Sequence, residues 1–119
     1  MPDPQFVELR STQDVSLTTA SPLSAAVELL GKVPVALQMP AAWTTAVLTF
    51  QGSKDGTTYA NIYSDGGAEY TVQAAASRFI PLDPADFVGC RFVKVRSGTA
   101  STAVTQAAAR TVTLIVRPI

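Results

Sequence analysis

Short runs in which apolar and polar residues alternate recur along the chain, separated by turns rich in Gly, Pro and Asp. Alternation with a period of two places every second side chain on one face of a β-strand. Turns spaced roughly 8–12 residues apart are typical of a β-sandwich. The pattern predicts an all-β chain folded as an antiparallel sandwich, with strands near residues 14–19, 25–30, 33–39, 46–51, 59–63, 69–73, 78–82, 91–96 and 111–116.

Several segments refine this prediction. Residues 25–30 are apolar enough for a strand or a short helix, and we take the strand. Pro34 lacks an N–H, which favours an edge position or the first residues of its strand. Asp83 followed by Pro84 is good helix-capping chemistry, so we expect one short helical turn near residues 84–87 with Phe87 in the core. Residues 97–109 show no periodicity and read as a loop.

The length of 119 residues suits a single domain with one modest core. Apolar residues make up 47% of the chain and charged residues only 15%. We expect residues 14–119 to form one β-sandwich domain, and residues 1–13 to form an extended N-terminal arm. The arm has no core of its own, and its candidate assembly residues are Pro2, Pro4, Phe6, Val7 and Leu9.

Charge and hydropathy exclude several partners. Nine basic residues balance nine acidic ones without forming a basic stripe, so nucleic acid is not expected as a partner. No apolar run approaches the roughly 20 residues needed to span a bilayer, and the start of the chain does not resemble a signal peptide. We therefore expect a protein made in the cytoplasm that does not enter a membrane.

The chain contains no histidine and one cysteine, Cys90. An internal disulfide and a multi-cysteine zinc site are therefore impossible, and the commonest general base is missing. Asp83 and Asp86 are close in sequence, but Asp83 is better explained as a cap. We expect Cys90 to be a small buried apolar side chain, and we expect no cofactor, no metal and no enzymatic activity.

The segment TFQGSKDGTTYANIY, residues 49–63, contains the strongest candidate for a ligand or partner loop. Gly52 and Gly56 could supply the positive φ of a hairpin loop between its two strands. A calcium site would use Asp55, Asp65 and Glu69, although Asp-Gly is also ordinary turn chemistry, which we favour. A sugar site would need an aromatic platform beside polar side chains. The candidates for these roles are Trp43, Lys54, Asp55, Tyr59, Tyr63, Arg78 and Arg91, with packing as the simpler role for the aromatics and bracing of a neighbouring loop or carboxylate for Arg91.

Two motifs resemble the core of discoidin-type, galactose-binding-like domains. Residues 51–59 read QGSKDGTTY, similar to the S-x-DG-x-x-[WY] loop of that family, and residues 89–96 read GCRFVKVR, similar to its later aromatic strand. The resemblance implies a jelly-roll core, and it covers less than half of the chain. Family members are usually longer and often carry disulfides and long binding loops, for which this chain has neither the cysteines nor the length.

In architecture and composition the whole chain also resembles small structural proteins of tailed bacteriophages. The shared features are a compact β-sandwich, loops rich in Ala, Thr and Gly, no histidine and near-zero net charge. This resemblance implies a virion location as a capsid decoration or fibre-base module. It would bind other virion proteins, the major capsid protein first, as a homo-oligomer for which we expect a trimer. Phe92 and Ile115 are candidate contact residues, and the alternatives are a carbohydrate-binding module, with a glycan as partner, and a tail or baseplate adaptor.

Overall fold

The computed structural model of the chain describes residues 8–119. These residues form eight strands and one three-residue 3₁₀ turn, Pro84–Asp86. The strands are β1 (Ser11–Leu17), β2 (Val27–Glu28), β3 (Lys32–Gln38), β4 (Leu48–Ser53), β5 (Ala60–Asn61), β6 (Phe79–Pro81), β7 (Phe92–Ser97) and β8 (Arg110–Pro118). No helix in this part of the chain is long and apolar enough to cross a membrane.

The strands form two antiparallel sheets with the orders β1-β8-β3-β6 and β2-β7-β4-β5. The pairs β1·β8, β2·β7, β3·β6 and β4·β5 are those of one long hairpin. Rolling that hairpin up adds the β3·β8 and β4·β7 pairs that complete each sheet. This order is that of a jelly roll, and the loop between β4 and β5 is the tip of the rolled hairpin. The predicted all-β, jelly-roll-like antiparallel sandwich is confirmed.

The core lies between the two sheets and is built by alternation. On β8, Val112, Leu114 and Val116 are buried, while the residues between them face outward. Phe87 meets Phe50 and Tyr70 edge to face, with ring centroids 5.2 Å apart, and Phe50 and Tyr70 are tilted at 5.8 Å from each other. Burying one such ring contributes about 2–3 kcal/mol to folding.

The 3₁₀ turn forms as expected. The Asp83 carboxylate accepts a hydrogen bond from the Ala85 N–H at 3.0 Å, and Pro84 is the first residue of the turn. Phe87 follows immediately and is fully buried.

Several predicted element boundaries are wrong. The first strand begins at Ser11, so residues 11–13 of the predicted arm belong to the first sheet. Residues 25–30 form a strand over Val27–Glu28 only. Residues 69–73 make isolated bridges, Tyr63 with Glu69 and Leu48 with Val72, in place of a strand.

The strand position of Pro34 and the backbone conformation of Gly52 differ from the predictions. β3 is an inner strand, but β6 pairs only with its last three residues, and the register shifts between Pro34 and Ala36. Pro34 is thus accommodated near the start of the strand. Gly52 lies within β4 without a positive φ, and its small size matters because a Cβ there would be 2.8 Å from the Cys90 sulfur. Gly56 has the predicted positive φ, +82°.

Candidate binding surfaces

The tip loop, residues 53–59, is closed by its own hydrogen bonds. Ser53 Oγ accepts from the Gly56 N–H at 2.8 Å and donates to Asp55 Oδ1 at 3.0 Å. Asp55 Oδ1 also accepts from the N–H groups of Thr57 and Thr58 at 2.9 and 3.0 Å. Gly56 packs so closely that a Cβ would be 2.8 Å from the Phe92 ring. The loop is therefore a compact turn rather than an open ligand grip.

The Asp55 carboxylate stabilises this turn by accepting its hydrogen bonds. The N–H groups of Thr58 and Thr57, followed by the Ser53 hydroxyl, hold its pKa below the ordinary value of 3.8. Within residues 8–119, no three acidic or cysteine side chains are grouped as a metal ion requires. The calcium set of Asp55, Asp65 and Glu69 is thus not assembled.

The outer face of the second sheet, here called the polar face, brings together residues of β4, β5 and β7. Gln51 of β4 is opposite Lys94 of β7 on one side and Asn61 of β5 on the other. The Lys94 ammonium lies 4.2 Å from the centroid of the Tyr59 ring, a cation–π distance. The Lys94 contact places the Tyr59 ring on this surface. Tyr63 follows Asn61 by two residues and forms an isolated bridge with Glu69.

A buried ion pair crosses the polar face. The Arg96 guanidinium donates to Glu69 Oε2 at 2.9 Å, Asn61 Oδ1 at 3.0 Å and Thr49 Oγ1 at 3.0 Å. Arg96 is only 7% exposed, although its side chain points away from the core. Glu69 in turn accepts from the Ala100 N–H, which fastens a second loop over the sheet.

Sequence reasoning missed this Arg96 cluster, because the alternation of β7 predicts the face on which Arg96 lies but not its partner. Alternation places Arg96 on the outer face beside Lys94, but it does not identify Glu69, 27 positions earlier in the chain. Gln106 was missed for a similar reason. It is buried in the loop predicted over residues 97–109, where its amide donates to Ser97 Oγ at 2.9 Å and the Thr44 carbonyl at 3.0 Å.

The remaining candidates for a sugar site do not converge. Trp43 precedes β4, at the end opposite the tip loop, where its indole packs against the core and donates to the Ala46 carbonyl at 3.0 Å. Lys54 is exposed on the tip loop. The Arg78 guanidinium donates to the Gln73 carbonyl at 2.9 Å. Arg91 lies 3.8 Å from the Glu28 carboxylate, as its predicted bracing role requires.

Cys90 packs against the apolar cluster and is half-buried. Burial raises the pKa of its thiol, so the reactive thiolate is scarce at neutral pH. It lines an open depression of about 310 Å³ beside the tip loop, together with Gly52, Lys54 and Thr58. The predicted role as a small apolar side chain agrees with this placement.

The outer face of the first sheet, here called the open face, is less polar. Phe79, 59% exposed, is opposite Gln38, and Ile115 is opposite Ala36 in the same sheet. Phe79 and Ile115 line a shallow depression of about 370 Å³ with Glu8, Arg10, Ser11 and Thr12. Phe79 was not among the predicted contact residues, whereas Phe92, which was, is partly covered by the tip loop.

The predicted arm is only partly described. Pro2, Pro4, Phe6 and Val7 lie outside the described residues. Leu9 is 53% exposed, and Arg10 pairs with Glu8 at 3.0 Å immediately before β1 begins.

Comparisons with known proteins add little to this geometry. No protein-family model and no curated protein sequence matches the chain. Among solved structures it is similar to the C-terminal domain of a chitobiase from Bacteroides fragilis, with 15% sequence identity and a TM-score of 0.38. The similarity covers 77% of this chain and 60% of that structure. So low a score supports no conclusion beyond what the strand order already shows.

Proposed function

We propose that this chain is a non-enzymatic structural protein of a tailed-bacteriophage particle. In this proposal it binds the capsid exterior, as a decoration or fibre-base module, and acts as a symmetric oligomer. The observation that carries the proposal is the open face, where Phe79, 59% exposed, and Ile115 line a shallow depression whose polar rim includes Glu8 and Arg10. The cores of protein–protein interfaces are enriched in aromatic side chains and are surrounded by a polar rim.

The hydrogen bonds and ion pair made by three acidic side chains support a non-enzymatic role. Asp55 and Asp83 accept hydrogen bonds from backbone N–H groups, and Glu69 pairs with Arg96. A general base must accept a proton from the substrate and a general acid must donate one, and these three carboxylates already accept hydrogen bonds within the fold. The chain is therefore proposed to act by binding.

Particle occupancy tests the proposal. Particles from a host that carries the gene are purified, and the chain is quantified by gel densitometry against the major capsid protein. We expect the wild type to copurify, and Phe79→Ser and a variant lacking residues 1–7 to lose occupancy. The deletion stops before Ser11, so β1 stays intact. Absence of the wild-type chain from particles would reject this function. Equal occupancy of all three proteins would reject Phe79 and residues 1–7 as the contact with the particle.

A second candidate is a carbohydrate-binding module, favoured by one observation on the polar face. Tyr63 is 56% exposed near Asn61, which offers an aromatic platform beside an amide. Tyr59 is the weaker platform because Lys94 already lies over its ring.

A glycan array separates this candidate from the structural role. Binding by the wild type that disappears in Tyr63→Ala and persists in Phe79→Ser would favour the glycan module. An array without signal for the wild type would reject it. A tail or baseplate adaptor would differ from a capsid module in location only, which immunogold labelling of the particles distinguishes.

A further inference from the structure

The four edge strands of the sandwich differ greatly in length. In the second sheet, the edges β2 and β5 are two residues long. In the first sheet, β6 has three residues and ends with Pro81, whereas β1 has seven. Short edges and edge prolines are the usual protection against pairing with another strand. The edge formed by β1 is the exception.

β1 has the properties of a strand that can accept a partner. It pairs with β8 over all seven residues, Ser11↔Val116 to Leu17↔Arg110, without a register shift. No described residue pairs with its other side. Its sequence, STQDVSL, contains no proline or lysine, and Asp14 is its one charged residue. A long, regular edge that lacks these protections is a template for a further strand.

We propose that β1 joins a second copy of this chain, with the two β1 strands antiparallel about a two-fold axis at Gln13. The pairing would convert two four-stranded sheets into one sheet of eight strands. This inference rests on the proposed function, since it specifies the contact within the symmetric oligomer, as a two-fold pair in place of the trimer expected from the sequence. A strand that pairs antiparallel with itself forms an isologous contact, which closes at two copies.

The core determines which registers are allowed. Val15 and Leu17 face the core, so a continuous sheet must place odd-numbered residues opposite odd-numbered ones. The register with the longest overlap is centred on Asp14, but it places the two Asp14 carboxylates opposite each other, and like charges there repel. Centring on Gln13 instead places Asp14 opposite Thr12 of the second copy.

Charge complementarity favours the Gln13 register further. Arg10 lies one position before β1 and on the same side as Asp14, since the two are four residues apart. In this register Arg10 is the diagonal neighbour of Asp14 of the second copy, a separation that long side chains reach. Arg10 would bind this Asp14 together with Glu8 or in exchange for it. The two-fold axis produces this Arg10–Asp14 contact twice. The two Asp14 side chains are also diagonal neighbours in this register, but a register centred on Val15 would keep that repulsion and lose both Arg10 contacts. One centred on Thr12 would keep only residues 11–13 of the two strands opposite each other.

Sedimentation equilibrium of the isolated chain over a wide concentration range tests the dimer. We expect a monomer–dimer equilibrium that salt weakens, because the Arg10–Asp14 pairs are exposed. Asp14→Lys should raise the dissociation constant about tenfold, since two attractive contacts become repulsive. The double variant Arg10→Glu/Asp14→Lys should restore it. Asp65→Lys, an exposed acidic residue in the turn after β5, is the charge-matched control and should leave it unchanged.

Cysteine pairs test the register independently of affinity. In a Cys90→Ala background, Gln13→Cys should give a covalent dimer on oxidation, because opposite residues of an antiparallel pair have Cα atoms about 5 Å apart. Thr12→Cys and Asp14→Cys should not, because like residues are then about 8 Å apart, beyond disulfide reach. Circular dichroism of each variant checks that the sandwich is intact.

Several outcomes would overturn the proposal. These are a wild-type chain that stays monomeric, a three-fold oligomer, or equal crosslinking at positions 12, 13 and 14. Dimerisation only after removal of residues 1–7 would also overturn it, since that segment would then occupy the edge of β1. A dimer in solution combined with no occupancy on particles would leave this contact standing and reject the virion role alone.

Discussion

The polar face and the open face each belong to a four-stranded sheet, but their side chains make different kinds of contact. On the polar face, Arg96 and Glu69 form a buried ion pair, and two loops fold across the sheet to complete it. On the open face, Asp14 accepts from the Thr113 hydroxyl at 2.9 Å, while Phe79 and Ile115 line an open depression.

The two faces differ in what their charged side chains do. The polar face uses its arginine and glutamate to hold its own loops, so little of that chemistry is free for a ligand. The open face has an exposed aromatic ring and a long free edge, and these features stabilise the monomer little. The polar face therefore serves mainly to stabilise the fold, and the open face is the surface that we propose for contact with other chains.

The largest expected effect is on the polar face. Arg96→Met leaves the Glu69 carboxylate without its cation in a nearly buried site, so we expect a loss of about 3 kcal/mol in the free energy of unfolding. Urea denaturation measures it. The matched control is Arg117→Met in β8, an exposed arginine, for which we expect a change within about 0.5 kcal/mol. A loss below about 1 kcal/mol for Arg96→Met would remove the contrast between the two faces.

How far the sequence predicts these features depends on how local each one is. The strands and the 3₁₀ turn follow from period-two alternation and from Asp83-Pro84, which act over a few residues. The Arg96–Glu69 pair and the Gln106 contacts join segments that are distant in the chain, and they exist only once the hairpin is rolled up. Gly52 shows the same limit, because its small size is required by Cys90, 38 positions later. The start of β1 at Ser11 follows from pairing with β8, since its own alternation there is weak.

The second effect concerns the packing of the tip loop on the polar face. Gly56→Ala forces a side chain into a backbone with a φ of +82° and against the Phe92 ring, so we expect a loss of about 2 kcal/mol. Gly66→Ala is the matched control in the next turn, where the nearest atom to a new Cβ is 3.9 Å away. Equal stability of the two variants would show that the tip loop can move away from Phe92.

The third effect is a pH dependence with a defined sign. Because folding lowers the pKa of Asp55, its ionised form stabilises the native state above the ordinary value of 3.8, and this contribution is lost as the pH falls through the lower folded value. Asp55→Ala should therefore be less stable than wild type near neutral pH, and the difference should shrink below about pH 4. Urea midpoints across this range measure it. Lys54→Ala, the adjacent exposed side chain, should change stability little at any of these pH values.

The smallest effect on stability is expected on the open face, where it is most informative about partners. Phe79→Ser removes a ring that is already 59% exposed in a three-residue edge strand, so the free energy of unfolding should change within about 0.5 kcal/mol. The same substitution should lower occupancy on particles, because the ring is proposed to be buried only in the assembly. Val88→Ser, 49% exposed beside the 3₁₀ turn, controls for a general loss of apolar surface and should keep full occupancy. A large loss of stability in Phe79→Ser would mean that the ring supports the monomer, and the open face would then resemble the polar face in serving the fold.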